Sequence, residues 1–256
     1  MESLTEVGFA AAGATDIGQV RKGNEDSFFV SEELGVAVVS DGMGGAPAGH
    51  VASRLAVEQL ALSLCADERR RNPSEEPGAT LGILSEAIET AHLEIIRHGE
   101  ACPEDAGLGA TVTALVVNRR VGYYAVGHIG DSRAYLLRRG VFTQLTRDDT
   151  LLQDHVDAGR IPHKVADRHP FGHILSQVLG MDRGVAPQLV EGEFELGDQF
   201  FLCSDGVTAV LNDREIGEML IRGRLWPADT VVRAFIESVN ERGGPDNATA
   251  ILLRSS

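Results

Sequence analysis

Short apolar or alternating runs that end in Gly, Asn or Asp recur through most of the chain, at residues 7–14, 27–31, 35–40, 110–117, 121–129, 132–137, 141–145, 189–194, 199–203 and 247–253. Runs of this length, bounded by turn residues, make strands rather than helices. Several are joined by hairpin-sized connections, Glu33-Leu34-Gly35, Asn118-Arg119-Arg120 and Arg138-Arg139-Gly140, so the pairing is expected to be antiparallel. Between them lie helical patterns. Residues 47–66 place Val51, Leu55, Leu62 and Cys65 on a 3.6-residue stripe, and residues 82–97 do the same with Ile83, Ala87, Ala91 and Ile95. A second pair is expected near 212–222 and 227–241, ahead of the last strand. The fold class is α+β, with each helix laying one face on a sheet. The polar stretches 67–80 and 99–107 read as surface loops inside one domain spanning 1–256, and segment 148–182 as mostly helical and mobile.

Composition narrows the function. Lys and Arg number 23 against 38 Asp and Glu, a formal charge of −15, so the field of the chain repels nucleic-acid backbones and anionic membrane surfaces. Nucleic acid and membrane are excluded as partners. No run approaches the ~20 apolar residues of a membrane span, and the opening MESLTEVGFA carries acids where a signal peptide carries basic residues. Cys65, Cys102 and Cys203 are odd in number and share no C-x-x-C spacing, which excludes a disulfide framework. The expected compartment is the cytoplasm.

The informative feature is where the aspartates fall. VAVVSDG, VGHIGDS, FFLCSDG and GGPDNATAILL put Asp41, Asp131, Asp205 and Asp246 at the end or the start of an apolar run, where a carboxylate emerges at a sheet edge. Taken singly, Asp-Gly after a strand is ordinary turn chemistry. Four acids converging without lysines repel each other, and the usual remedy is a hard divalent cation; oxygen-only ligands favour magnesium or manganese over zinc. TDIGQVRKGNED adds Asp16, Glu25 and Asp26 beside Arg21 and Lys22. Arg21 is then either a solvated surface residue or a guanidinium fork for a phosphate. The glycines from Gly42 to Gly45 let backbone approach an ion closely, a weak signal alone.

The ordered blocks RKGNED, SDGMGG, GLGATVTAL, VGHIGDSRAYLL, LTRDDT, LCSDGV and GGPDNATAIL resemble the metal-dependent serine/threonine protein phosphatases of type 2C in their compact bacterial form, from about Thr15 to Leu253. The resemblance implies a four-layer α/β/β/α sandwich of two antiparallel sheets flanked by helix pairs. It implies a centre of two Mn2+ or Mg2+ ions activating a bridging water, with phosphoproteins as substrates, either targets of a serine/threonine kinase or the kinase itself, and a monomeric enzyme. Position by position, Asp41 is similar to the carboxylate bridging both metals and Gly42 to the residue lending its backbone carbonyl. Asp205 and Asp246 complete the first metal's shell, and Glu25 and Asp26 resemble the acids that hold metal-bound waters. Arg21 resembles the phosphate-binding arginine, and Asp131 the residue that with Asp205 takes a weaker third metal. Asp41, Asp205, Asp246 and Arg21 are the expected catalytic set.

Two positions depart from the pattern. Met43 stands where animal relatives have His, so no general acid comes from there, and Gly172, His173, Ser176 and Gln177 stand where many bacterial members show Asn and Arg. Other readings fit less well. Cys65 to Arg71 satisfies C-x5-R, yet Asp67 and Glu68 fall where phosphate-facing amides belong, and Cys203 reads as a buried small hydrophobe. His155, His163, His169 and His173 lack zinc-ligand spacing. A P-loop requires Lys and Ser/Thr after the glycines, where Ala46, Pro47 and Ala48 stand. A catalytically dead binding protein of this family would lack a metal aspartate, and all four are present.

Overall fold

The computed structural model describes residues 8–44, 48–66, 78–118, 122–162, 172, 174–181 and 184–255. The strands are β1 (Phe9–Asp16), β2 (Asp26–Ser31), β3 (Val36–Met43), β4 (Gly109–Ala110), β5 (Val112–Asn118), β6 (Tyr123–Ile129), β7 (Arg133–Arg138), β8 (Val141–Gln144), β9 (Gln188–Glu193), β10 (Gln199–Cys203) and β11 (Ala248–Ser255). The helices are α1 (Ala48–Ala66), α2 (Ala79–Ala101), α3 (Leu151–Asp157), α4 (Asp205–Thr208), α5 (Asp213–Arg222) and α6 (Ala228–Glu241), with 3-10 turns at Pro103–Asp105 and Gly223–Leu225.

The strands form two antiparallel sheets, one ordered β1-β11-β10-β7-β8 and the other β2-β3-β5-β6-β9, with β4 paired to β3. Alternation along each strand explains why the sheets stack. Ala37 and Val39 of β3 point into the layer between the sheets, while Val36 and Val38 point outward to α1 and α2. On the other sheet Phe200, Leu202, Ile251 and Leu253 fill the inner layer, and Phe201, Cys203, Ala250 and Leu252 face α5 and α6. A period of two with both faces apolar is what a sheet covered on both sides requires. The result is the expected four-layer α/β/β/α sandwich.

Local chemistry accounts for the connections. Arg139 and Gly140 both sit at positive φ, 52° and 81°, as a two-residue turn of the right-twisting hairpin type demands between β7 and β8. Asn212 and Glu215 form a reciprocal capping box at the start of α5. On α2 the stripe Ile83, Ala87, Ala91 and Ile95 is buried as expected.

Three expectations change. On α1 the buried face is Ala48, Gly49, Ala52, Ser53, Ala56, Val57, Leu60 and Leu64, whereas Leu62 is 64% exposed and Val51, Leu55 and Cys65 are only half-buried. The helix starts hard against the end of β3, with Gly49 on Gly42, and the buried face then runs on through Ala52, Ala56, Leu60 and Leu64, which leaves Leu62 on the opposite side. The polar stretch 99–107 is not all loop, because α2 runs on to Ala101. Segment 148–182 is not mostly helical where it is described: helix is confined to Leu151–Asp157, and an extended piece pairs through bridges Thr150–Leu175 and Ala110–Leu179. Val7, Gly45 to Pro47, residues 67–77, Arg119, Arg120, His163, His169 and His173 lie outside the described residues.

Phe200 is 1% exposed in the inner layer and packs its ring 5.0 Å from that of Tyr124 on the opposite sheet. Phe200→Ala should lower unfolding free energy by about 3–5 kcal/mol, and Leu225→Ala on the surface by less than about 0.5 kcal/mol, both read from urea denaturation midpoints.

Candidate metal centre

Both sheets deliver acids to one end of the sandwich. Asp26 opens β2 and lies directly across from Asp41 near the end of β3, a like-charge pair that is unfavourable on its own. Asp205 begins α4 immediately after β10, and Asp246 precedes β11, the strand paired to β10. Asp131 sits in the link from β6 in one sheet to β7 in the other. The charges of Asp26, Asp205, Asp131 and Asp246 all act on Asp41, so the four expected aspartates do converge, joined by Asp26.

The electrostatic cost is visible in proton affinity. Removal from water, and then these four neighbours, hold the Asp41 carboxyl well above the usual carboxylate range. Burial, with Asp205 next, pushes Asp131 up to about 8, and burial pushes Asp26 up to about 6 against the hydrogen bonds it accepts. Asp26 Oδ2 accepts from Ser204 Oγ at 2.7 Å and Thr249 Oγ1 at 2.6 Å, while Asp26 Oδ1 and Glu25 Oε1 are buried with no hydrogen-bond partner among the described residues. Buried carboxylate oxygens without protein donors, in a cluster of like charge, are the donor set a hard cation satisfies. The residues fit two Mn2+ or Mg2+ ions.

The two Asp-Gly pairs are not turns. Gly42 lies within β3, and a Cβ there would fall 1.9 Å from Gly49 O and 2.9 Å from Glu25 O, so only glycine lets the start of α1 press on the strand. A Cβ on Gly206 would fall 1.9 Å from Asn247 O, which keeps α4 against the loop that carries Asp246. Arg21 donates from Nη2 to Asp246 Oδ2 at 2.6 Å, with its side chain 50% exposed. The guanidinium is therefore tied to one acid of the cluster while half of its side chain stays open to solvent. Asp16 plays another part: its Oδ1 accepts from Gly18 N and Asn240 Nδ2, fixing the loop that leads to Arg21.

Several supporting residues were not singled out in the sequence. Asn247 Oδ1 accepts from Glu25 N at 2.9 Å, while its Nδ2 donates to Ile17 O and Gly23 O, stapling residues 17–25 to the Asp246 loop. Thr111 N–H donates to Asp41 O, Thr111 Oγ1 accepts from Asp41 N, and the same hydroxyl meets Ser132 Oγ at 2.9 Å, linking Asp41 to the neighbour of Asp131. Arg133 grips Asp148 through Nε and Nη2, and Asp149 Oδ2 accepts from Gly130 N, which fixes the turn bearing Asp131. The blocks GGPDNATAIL, GLGATVTAL and LTRDDT held these residues in plain view, but their hydrogen-bond partners are remote in the chain. Cys203 is fully buried and burial drives its thiol pKa far up, so it is no nucleophile.

A family model described as Protein phosphatase 2C matches residues 19–250. The chain belongs to this family. PstP of Mycobacterium tuberculosis, a serine/threonine protein phosphatase, is 36% identical over 242 residues, covering 94% of this chain and 44% of PstP. The chain thus spans less than half the length of that relative. The serine/threonine phosphatase stp of Listeria innocua is 33% identical over 242 residues, with 93% of each covered. A crystal structure of the catalytic domain of PstP in complex with two manganese ions superposes with a TM-score of 0.83 at 33% identity, covering 97% of this chain and 99% of that one.

In chelator-treated protein each raised carboxyl binds its proton more tightly folded than unfolded. Its contribution to stability is full below the ordinary value of 3.8 and is lost as pH rises through about 6 for Asp26 and about 8 for Asp131. The melting temperature in EDTA should therefore fall between about pH 5 and pH 8, and fall less in Asp41→Asn, where a carboxyl that is itself held well above its ordinary value no longer titrates. An Asp41→Asn profile that parallels the parent chain across that interval would contradict this account of the cluster.

Proposed function

We propose that the chain hydrolyses phosphoserine and phosphothreonine monoesters on proteins, acting as one catalytic domain over residues 1–256 with two Mn2+ or Mg2+ ions. The carrying observation is the convergence of five aspartates from both sheets on a spot where one oxygen each of Glu25 and Asp26 is buried without a hydrogen-bond partner among the described residues, in a chain of the Protein phosphatase 2C family whose relatives include serine/threonine phosphatases. Asp41, the Gly42 carbonyl, Asp205 and Asp246 would hold the ions, with Asp41 serving both. Glu25 and Asp26 would hold water at the centre, and Asp131 with Asp205 would take a third, weaker ion. When bound, the ions supply charge neutralisation for the phosphoryl group and a water acidic enough to serve as nucleophile at neutral pH.

The chain's own residues set the geometry. Asp26, aligned by Ser204 and Thr249, orients water beside Asp41. Arg21 meets phosphoryl oxygens with a planar fork and holds the ester in line, a task that a site lined with carboxylates leaves to a cation. Leu179 bridges to Ala110, which pairs with Gly42, so the described part of the segment expected to act as a flap is anchored beside the acid cluster. Three cysteines outside any disulfide suit a reducing compartment such as the cytoplasm, and no helix is long and apolar enough to cross a membrane among the described residues. The substrates are products of a serine/threonine kinase, or that kinase itself, and the enzyme works as a monomer.

Turnover of p-nitrophenyl phosphate should vanish with EDTA, return with manganese and survive thiol alkylation, and Asp41→Asn should lose most of it. Activity that persists in chelator would refute the proposal. Arg21→Ala should lower kcat/KM on a phosphothreonine peptide by the equivalent of about 2–4 kcal/mol, with Arg21→Lys recovering part. A variant within about twofold of the parent would make Arg21 a surface residue whose ion pair with Asp246 has no part in binding phosphate.

A further inference from the structure

Remote from the acid cluster in chemistry, the end of α2 gathers a different donor set. His98 lies in the last turn of the helix, Cys102 caps it and Asp105 ends the 3-10 turn that follows. The cap residue leaves helical geometry at φ −123° and ψ 86°, which folds the chain back under the helix end. Cys102 N–H still donates to His98 O at 2.9 Å and Asp105 N–H to Cys102 O at 2.9 Å, so backbone bonds hold the three residues in place. His98 Nε2 meets Asp105 Oδ2 at 2.8 Å, and one ring nitrogen, the Cys102 sulfur and one carboxylate oxygen all lie within 4.8 Å of one another.

A histidine paired with a carboxylate at a helix C-terminus is explained by the helix dipole and the ion pair alone. The sulfur is not. It supplies a third corner facing the other two, and nitrogen, sulfur and oxygen together make a borderline-soft set that hard cations avoid and zinc accepts. The three side chains are half-buried, open to an ion from solvent yet held by the fold. The charge of −15 favours any cation, so selection rests on donor type.

We propose that His98, Cys102 and Asp105 form a second metal site, distinct from the phosphatase centre, that binds Zn2+ with a water in the fourth position. Binding releases the Cys102 thiol proton to solvent and replaces the His98–Asp105 hydrogen bond by two bonds to the ion. The site also has a place in the architecture. Leu108 N–H donates to Asp105 O at 3.2 Å, and the chain then enters β4, whose Gly109 and Ala110 pair with Met43 and Gly42. An ion here ties the end of α2 to the strand flanking the acid cluster.

The test uses the whole chain, reduced, with Mg2+ saturating the carboxylates, and Co2+ as the probe. An all-oxygen centre gives no thiolate-to-cobalt absorption, so its growth to one ion per chain and its displacement by Zn2+ report this site alone. The absorption should vanish in Cys102→Ser and persist in Cys65→Ser. Affinity for Zn2+ should fall by about 100-fold or more in Cys102→Ser, since a direct ligand is lost where even outer partners cost about 10–100-fold. In the unaltered protein Zn2+ should protect Cys102 from a thiol reagent, a readout that needs no variant. Absence of the cobalt band, its survival in Cys102→Ser, or unprotected Cys102 at saturating Zn2+ would overturn the proposal, whatever the outcome of the phosphatase assays.

Discussion

Like charge crowded at one end of the sandwich is the constraint on which the rest of the structure depends. Asp26 and Asp41 are cross-strand neighbours, and Asp131, Asp205 and Asp246 add their fields to the same spot. Left to itself such a cluster disperses or takes up protons, and burial first, then the neighbouring carboxylates, raise the proton affinity of Asp41 and Asp131 accordingly. What prevents dispersal is backbone. Gly42 and Gly206 admit approaches that any side chain forbids, and Asn247 and Thr111 bind the main chain on either side of the acids. A cluster held against its own repulsion binds cations strongly because little rearrangement accompanies binding, which is also why it costs stability when empty.

The two sheets share the site. Asp26 and Asp41 belong to the sheet covered by α1 and α2, Asp205 and Asp246 to the ends of strands in the other, and Asp131 to the crossing between them. Relative placement of the sheets is therefore as much a part of the chemistry as any one ligand. The inner layer, with Phe200, Leu202, Ile251 and Leu253 meeting Ala37, Val39, Leu115 and Val126, sets that placement by close packing. Ser204 and Thr249 of one sheet reaching Asp26 of the other extend the lock from apolar layer to site edge.

How much was legible depended on the range of the interaction. Alternating runs revealed the strands to within a few residues, because period two is written in consecutive side chains. The α2 stripe was legible for the same reason. The α1 face was not: Gly49 packs on Gly42, and Ala52, Ala56 and Leu60 share its face while Leu62 turns outward, and nothing within the helix records that contact. Asp41-Gly42 and Asp205-Gly206 carry turn chemistry in isolation, yet their glycines answer to backbone more than forty residues away or beyond a strand boundary.

By itself, the sequence determined most of the strands and the long helices, that the pairing is antiparallel, and which acids stand at strand ends, since propensity, alternation and turn chemistry are local. Motif order further determined the family resemblance. Tertiary structure alone decided that Asp26 faces Asp41, that Arg21 reaches Asp246, that Asn247 staples the first loop, and that Cys102 meets His98 and Asp105. Most of these pairings join residues far apart in the chain, and the last depends on how the chain leaves a helix. Register, close packing and the direction of a chain after a helix cap are set by the whole fold, so no window of residues contains them.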